Sequence, residues 1–166
     1  MRPARVSVLS AALSAAEEAE ILARVRAGGR ARREAAGDLF RRLREPIHAV
    51  CLHVTGRRAD AEAAVREAFA AVHRGLPDLR GSSRLTTWAY RIALRAAFRA
   101  RARRRDGEPL EGALATLPAG PRAVLSLFAV DGLSHQEIAD ILGIAEGAVW
   151  TRLQAARRMG IEPVGR

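Results

Sequence analysis

Leu39, Phe40, Leu43, Ile47, Val50, Cys51 and Val54 recur every three or four residues, and this spacing constrains the chain more than any other feature. It places all seven side chains along one face of an α-helix and rules out a strand, whose period is two. The same rhythm returns in Ala61, Ala64, Val65, Ala68, Phe69 and Val72. Before it, Ile21, Leu22 and Val25 predict a first helix over 15–27 that Gly28-Gly29 ends. The second helix is expected over 33–54, with Pro46 breaking or kinking it near Arg44-Glu45, and Thr55-Gly56 closing it. A third begins near residue 58 and stops before Gly75 and Pro77. After the polar loop "PDLRGSSRL" a fourth runs over 86–104. Aromatic residues make up only 4% of the chain, so its cores are built from Leu, Ile, Val and Ala, a composition that favours helices.

Asp106, Gly107 and Pro109 oppose helix, which makes 106–109 a linker. Four shorter helices are expected beyond it, over 110–116, 120–130, 134–142 and 146–159. No strand and no internal repeat is evident. The fold class is therefore all-α, with two small helical modules over 15–105 and 110–160. The linker from Arg105 to Leu110 reaches at most about 18 Å.

The 166 residues carry a formal charge of +10; histidine aside, the basic side chains number 28, and all are arginine. GC-rich codon usage contributes to that bias, so the placement of charge weighs more than its total. A strongly basic domain points to a polyanion, with nucleic acid ahead of an acidic membrane. The single cysteine, Cys51, excludes an internal disulfide framework and fits a reducing cytoplasm. No apolar run is long enough to insert in a bilayer. The opening "MRPARVSVLSAALSAA" sketches a signal peptide, but Ser7, Ser10 and Ser14 interrupt it and Glu17, Glu18 and Glu20 follow at once. It is read as a tail leading into the first helix.

The stretch "LSHQEIADILGIAEGAVWTRLQAARR" contains an S-x-x-E capping box, Ser134 and Glu137. Ile138, Ile141 and Leu142 form an inner face, Gly143 supplies the turn, and Val149 and Leu153 pack the next helix back. The spacing is that of a helix-turn-helix, with an ordinary helical hairpin as the alternative. Glu146, Gly147, Trp150, Thr151, Gln154, Arg157 and Arg158 lie on the outer face of its second helix, with Arg152 to one flank. Thr151, Arg152 and Gln154 suit base edges or phosphates, and Arg157 and Arg158 suit phosphates. Trp150 cannot neutralise charge; it covers a thymine methyl or meets a protein.

In the fourth helix, Arg91, Arg95, Arg99 and Arg103 form a stripe at i, i+4 spacing, widened by Arg101, Arg104 and Arg105, with no acid between Arg91 and Arg105. Trp88, Tyr90, Ser82, Ser83, Thr86 and Thr87 precede it. Rings beside hydroxyls and arginines suit unstacked single-stranded bases. Alternatively, Trp88 and Tyr90 belong to the core and the stripe grips a duplex.

The segments from Thr55 to Ala97 and from Leu110 to Arg158 together resemble the RNA polymerase sigma factors of the extracytoplasmic function (ECF) group in bacteria. The resemblance implies a transcription initiation factor, not an enzyme. It implies a first domain that docks on core RNA polymerase and melts the −10 element, and a second that reads the −35 element of promoter DNA. Asp60, Glu62, Arg66, Glu67 and Phe69 then fall on the polymerase-docking helix. Arg80, Ser82, Ser83, Arg84, Thr86, Thr87, Trp88, Tyr90, Arg91, Arg95 and Arg99 fall on the −10 surface. Ser134, Glu146, Gly147, Ala148, Trp150, Thr151, Arg152, Gln154, Arg157 and Arg158 fall on the −35 surface. An anti-sigma factor is implied as a further partner, and no cofactor or metal. The chain departs from the family pattern at Ala63, Arg66, Arg95, Ala148 and Trp150. Two rival readings remain: a sigma-like regulator that binds a protein partner without opening promoters, and a simple helix-turn-helix DNA-binding regulator. His48, Cys51 and His53 lie close in sequence, but His53 points away from Cys51 on a regular helix, so Cys51 is read as a core thiol.

Overall fold

A computed structural model describes residues 13–79, 84–103, 116–129 and 133–161. Among the described residues seven α-helices follow one another: α1 (Ala15–Ala27), α2 (Gly29–Thr55), α3 (Arg58–Gly75), α4 (Leu85–Ala102), α5 (Ala119–Ala129), α6 (His135–Leu142) and α7 (Glu146–Arg158), with a 3₁₀ turn at Leu76–Asp78. The described residues contain no strand. The helix expected over 110–116 and the linker over 106–109 lie outside the described residues.

Local chemistry sets the boundaries. Ser14 caps α1: its hydroxyl accepts the Glu17 N–H at 3.2 Å, and the Glu17 carboxylate accepts the Ser14 N–H at 2.8 Å. Gly28, at φ 73°, ends α1 and lets α2 start at once. Gly56, at φ 70° and ψ 14°, closes α2 in the left-handed region.

The expected break at Pro46 does not occur. α2 runs through it for 27 residues. The proline removes one backbone bond, at a cost of about 3 kcal/mol. Leu39 and Leu43 before it, and Ile47, Val50, Cys51 and Val54 after it, are all fully buried on the same face. Each such side chain contributes about 1.5–3 kcal/mol, so packing on both sides outweighs the lost bond. Phe40, expected on that stripe, is instead 40% exposed at its edge.

α1 packs on α2, and α2, α3 and α4 pack on one another; α5, α6 and α7 form a second group. The two groups also meet, α5 against α2 and α6 against α4. Their buried apolar residues join into one connected cluster. Cys51 sits in it as a core thiol, its Sγ 3.9 Å from the Ala93 carbonyl, and burial pushes its pKa up to about 12.

Candidate nucleic-acid interface

Leu85, Ala89, Ala93, Leu94, Ala96 and Ala97 seat α4 in the core, which turns the arginines of the other face outward. Arg95 and Arg99 are exposed and Arg91 is half-buried. The stripe expected to be free of acids is not free in three dimensions. Arg99 donates to the Glu67 carboxylate through Nε at 3.0 Å and Nη2 at 2.7 Å, and Arg103 donates to its other oxygen at 3.1 Å. The hydrogen bond from Arg99, then that from Arg103, hold the Glu67 carboxyl below its ordinary pKa. Arg91 donates through Nε to the Asp140 carbonyl at 2.6 Å, in the last turn of α6. A cation at a helix C-terminus is favourable, so α6 is held over the start of the stripe.

Three residues placed on this surface from sequence are not available there. Tyr90 and Thr86 are fully buried and Thr87 nearly so. Helix phase explains it: Thr86, Tyr90, Ala93 and Ala97 follow one inward row at i, i+3, i+4 spacing. Arg80, Ser82 and Ser83 lie outside the described residues. Arg84 is exposed but engaged, donating to the Leu13 carbonyl at 2.8 Å and paired with Glu18 at 3.2 Å. Trp88 is half-buried, the benzo edge of its ring 3.0 Å from where a Cβ at Gly75 would stand, so a glycine at the end of α3 leaves room for the indole.

On α3, Glu62 and Arg66 are exposed, with Glu62 paired to Arg58 at 3.1 Å. Asp60 is half-buried in the first turn. Phe69 stacks edge-to-face on Phe40, with centroids 4.6 Å apart and planes at 71°. Phe40, Val65, Glu62 and Arg66 line one groove, and a second continues past Phe40 to Phe69, Val72 and His73. Glu67 faces α4 instead, so the five docking residues do not share one face. Phe40 was missed because its apolar spacing reads as core.

The second group builds the helix-turn-helix as expected. The Ser134–Glu137 box repeats the α1 cap, with the Ser134 N–H to Glu137 at 2.8 Å and the Glu137 N–H to Ser134 at 3.2 Å. Gly143, at φ 65° and ψ 39°, ends α6. Val149, Leu153 and Ala156 bury the inner face of α7. Glu146, Gly147, Thr151, Arg157 and Arg158 are exposed, and Trp150 is 56% exposed. Ala148, Arg152 and Gln154 are half-buried. Arg152 leans on the first turn of α5, its guanidinium 3.5 Å from where a Gly120 Cβ would be. The Thr151 hydroxyl donates back to the Gly147 carbonyl at 2.9 Å. The described residues contain no cluster of three or more His, Cys, Asp or Glu that would hold a metal ion. No helix among them is long and apolar enough to cross a membrane.

Residues 39–107 match the family model of Sigma-70 region 2, and residues 107–159 match that of Sigma-70, region 4. The ECF RNA polymerase sigma factor SigM of Mycobacterium tuberculosis is 30% identical over 161 residues, covering 84% of this chain and 81% of its own length. The chain belongs to the ECF sigma factors. The RNA polymerase sigma-H factor of Pseudomonas aeruginosa is 29% identical over 134 residues, 59% of this sigma factor and 69% of that one. The solved structure of CnrH in complex with the cytosolic domain of CnrY superposes with a TM-score of 0.70 at 25% identity, covering 85% of this chain and 92% of that one. This sigma factor is a transcription initiation factor that directs RNA polymerase to promoters.

Proposed function

We propose that residues 15–105 dock on core RNA polymerase and hold the melted −10 strand, that 106–109 tether the modules, and that 110–160 grip the −35 duplex. The observation that carries this division is the pair of outward basic helices on separate modules. α4 bears Arg91, Arg95 and Arg99, and α7 bears Arg157 and Arg158 beside an exposed indole. Arginine rows neutralise phosphates, and the ring of Trp88 at the head of α4 is placed to stack on a displaced base. Glu62, Arg66 and the Phe40–Phe69 pair form the docking surface for polymerase, mixing an aromatic anchor with charges of both signs. The protein carries no catalytic centre of its own in this reading; it works in the cytoplasm, where the polymerase is.

α6 lies over Arg91 through the Asp140 carbonyl. Strand capture therefore requires α6 to leave α4. That contact favours a second element in the reading: a protein partner that holds the modules together. The similar CnrH is solved with the cytosolic domain of CnrY, and an anti-sigma protein fits that role here. The alternative, a regulator that occupies polymerase without opening DNA, draws on the same contact.

Purified chain added to core RNA polymerase, with a pool of duplexes randomised upstream of the start site, tests the assignment. Specific starts are expected, with base preferences in two separated segments. Stable polymerase binding without starts would favour the non-opening regulator, and tight duplex binding without polymerase a simple repressor.

A further inference from the structure

α4 does not cap itself. Its N-cap, Arg84, makes no side-chain hydrogen bond to the helix. The first turn of any helix leaves N–H groups without partners, and when buried they need an acceptor. Here the acceptor comes from α1. Glu18, 6% exposed, accepts the Leu85 N–H at 3.1 Å through one oxygen. Its other oxygen accepts the Thr86 N–H at 3.3 Å and the Thr86 hydroxyl at 2.7 Å. Arg84 braces the same carboxylate at 3.2 Å and the Leu13 carbonyl at 2.8 Å. A buried carboxylate 67 residues away thus fixes the N-terminus of α4.

We propose that Glu18 is a positioning residue for −10 recognition: by capping α4 from α1 it sets where the helix begins and where Trp88 points. The proposal rests on the assignment of Trp88 to the −10 strand. Two constraints act on the indole. Gly75 leaves room for the edge of its ring, and Glu18 anchors the helix start at Leu85 and Thr86, in the turn that leads into it. With the cap removed the first turn frays, and the turn that frays carries the indole.

The experiment uses the full chain with core RNA polymerase and the randomised duplex pool. Glu18→Gln keeps shape and volume but turns an amide N–H₂ toward one of the backbone N–H donors. We expect about a tenfold loss of specific transcripts, the size of a lost cap. The base preferences in the −10 segment should flatten while those in the −35 segment persist. Polymerase affinity should stay within about twofold. Glu18→Asp, which keeps both acceptors, should restore part of the activity; Glu18→Ala should resemble Gln. Amide hydrogen exchange reads the cap without any promoter: Leu85 and Thr86 should exchange about tenfold faster in Glu18→Gln, with α3 and α7 unchanged. Unchanged exchange overturns the cap. Faster exchange with −10 preferences intact overturns the positioning role, as does equal loss of polymerase binding and of both preferences. If the wild-type chain yields no −10 preference, the underlying assignment fails instead, and the exchange result still stands on its own.

Discussion

On α4, Arg91 is spent on the carbonyl of Asp140, and Arg99 and Arg103 share the carboxylate of Glu67. On α7, Arg157 and Arg158 extend into solvent. Both helices bear the charge that DNA binding needs, but α4 presents most of it already engaged, with Arg95 the exposed exception. A duplex can meet α7 with little rearrangement beyond the release of counterions. A strand meeting α4 must compete with a neighbouring module for one arginine and with an acid for two more. In the proposed assignment, the difference makes the upstream contact the ready one and the melting contact the conditional one.

The largest test of this contrast is charge reversal at Arg91 and Arg95. At about 1–3 kcal/mol per lost contact, the double variant should lower promoter opening by at least about 30-fold while −35 duplex binding survives. Arg95→Glu alone separates the two causes, because Arg95 is exposed, whereas Arg91 also holds α6. Equal loss of opening and duplex affinity would erase the distinction between the helices.

Glu67→Gln comes next. It releases Arg99 and Arg103 and moves α4 toward the condition of α7. Single-strand affinity should rise several-fold at low salt, and its dependence on log salt should steepen by about 1.4, since each new phosphate contact adds about 0.7. Polymerase affinity should change little, because the carboxylate points at α4. A large loss of polymerase binding would return Glu67 to the docking surface.

Trp150→Lys makes the converse change on α7. One added phosphate contact should raise −35 duplex affinity a few-fold and steepen the salt slope by about 0.9. With no rise, the indole is itself a contact, to a thymine methyl or to a protein, and the readiness of α7 owes nothing to charge at that position.

The helices and their caps were legible because they rest on local chemistry. Ser134, Gly28 and Gly143 act within a few residues of themselves, and the structure repeats each one. The outer face of α7 was legible for the same reason, since one helical period sorts Val149 and Leu153 from Trp150 and Arg157. What could not be read was whatever depends on residues distant in the chain. Nothing near Arg99 announces Glu67, and nothing near Thr86 announces Glu18. Thr86 and Tyr90 carry polar groups that suit DNA, yet the phase of α4 turns them into the core. Phe40 erred the other way: its spacing matched the buried stripe, but it lies at the edge, where it meets Phe69. Pro46 shows local preference losing to packing on both sides.

The smallest effect tests whether the first module, which in the proposed reading yields α6 to act, is tuned by acidity. His53 is half-buried near the end of α2, and burial lowers its pKa below the ordinary value of about 6.5. Between those two values the unfolded chain binds a proton that the folded chain refuses, so stability rises with pH across that window. The contribution is fully present above about pH 6.5 and drains away as pH falls toward the folded-state value. One proton limits the slope to about 1.4 kcal/mol per pH unit. The carboxyls of Glu17, Asp38 and Glu67 are also lowered, by the Ser14 cap, by Arg24 and by Arg99 respectively, so their contributions are lost only in stronger acid. Thermal melts between about pH 7.5 and 5.5 therefore isolate the imidazole. The wild-type chain should lose melting temperature steadily on acidification, and His53→Gln should flatten that loss. If the variant keeps the wild-type slope, the proton is taken up elsewhere, and the first module has no acid-sensitive weakness at the end of α2.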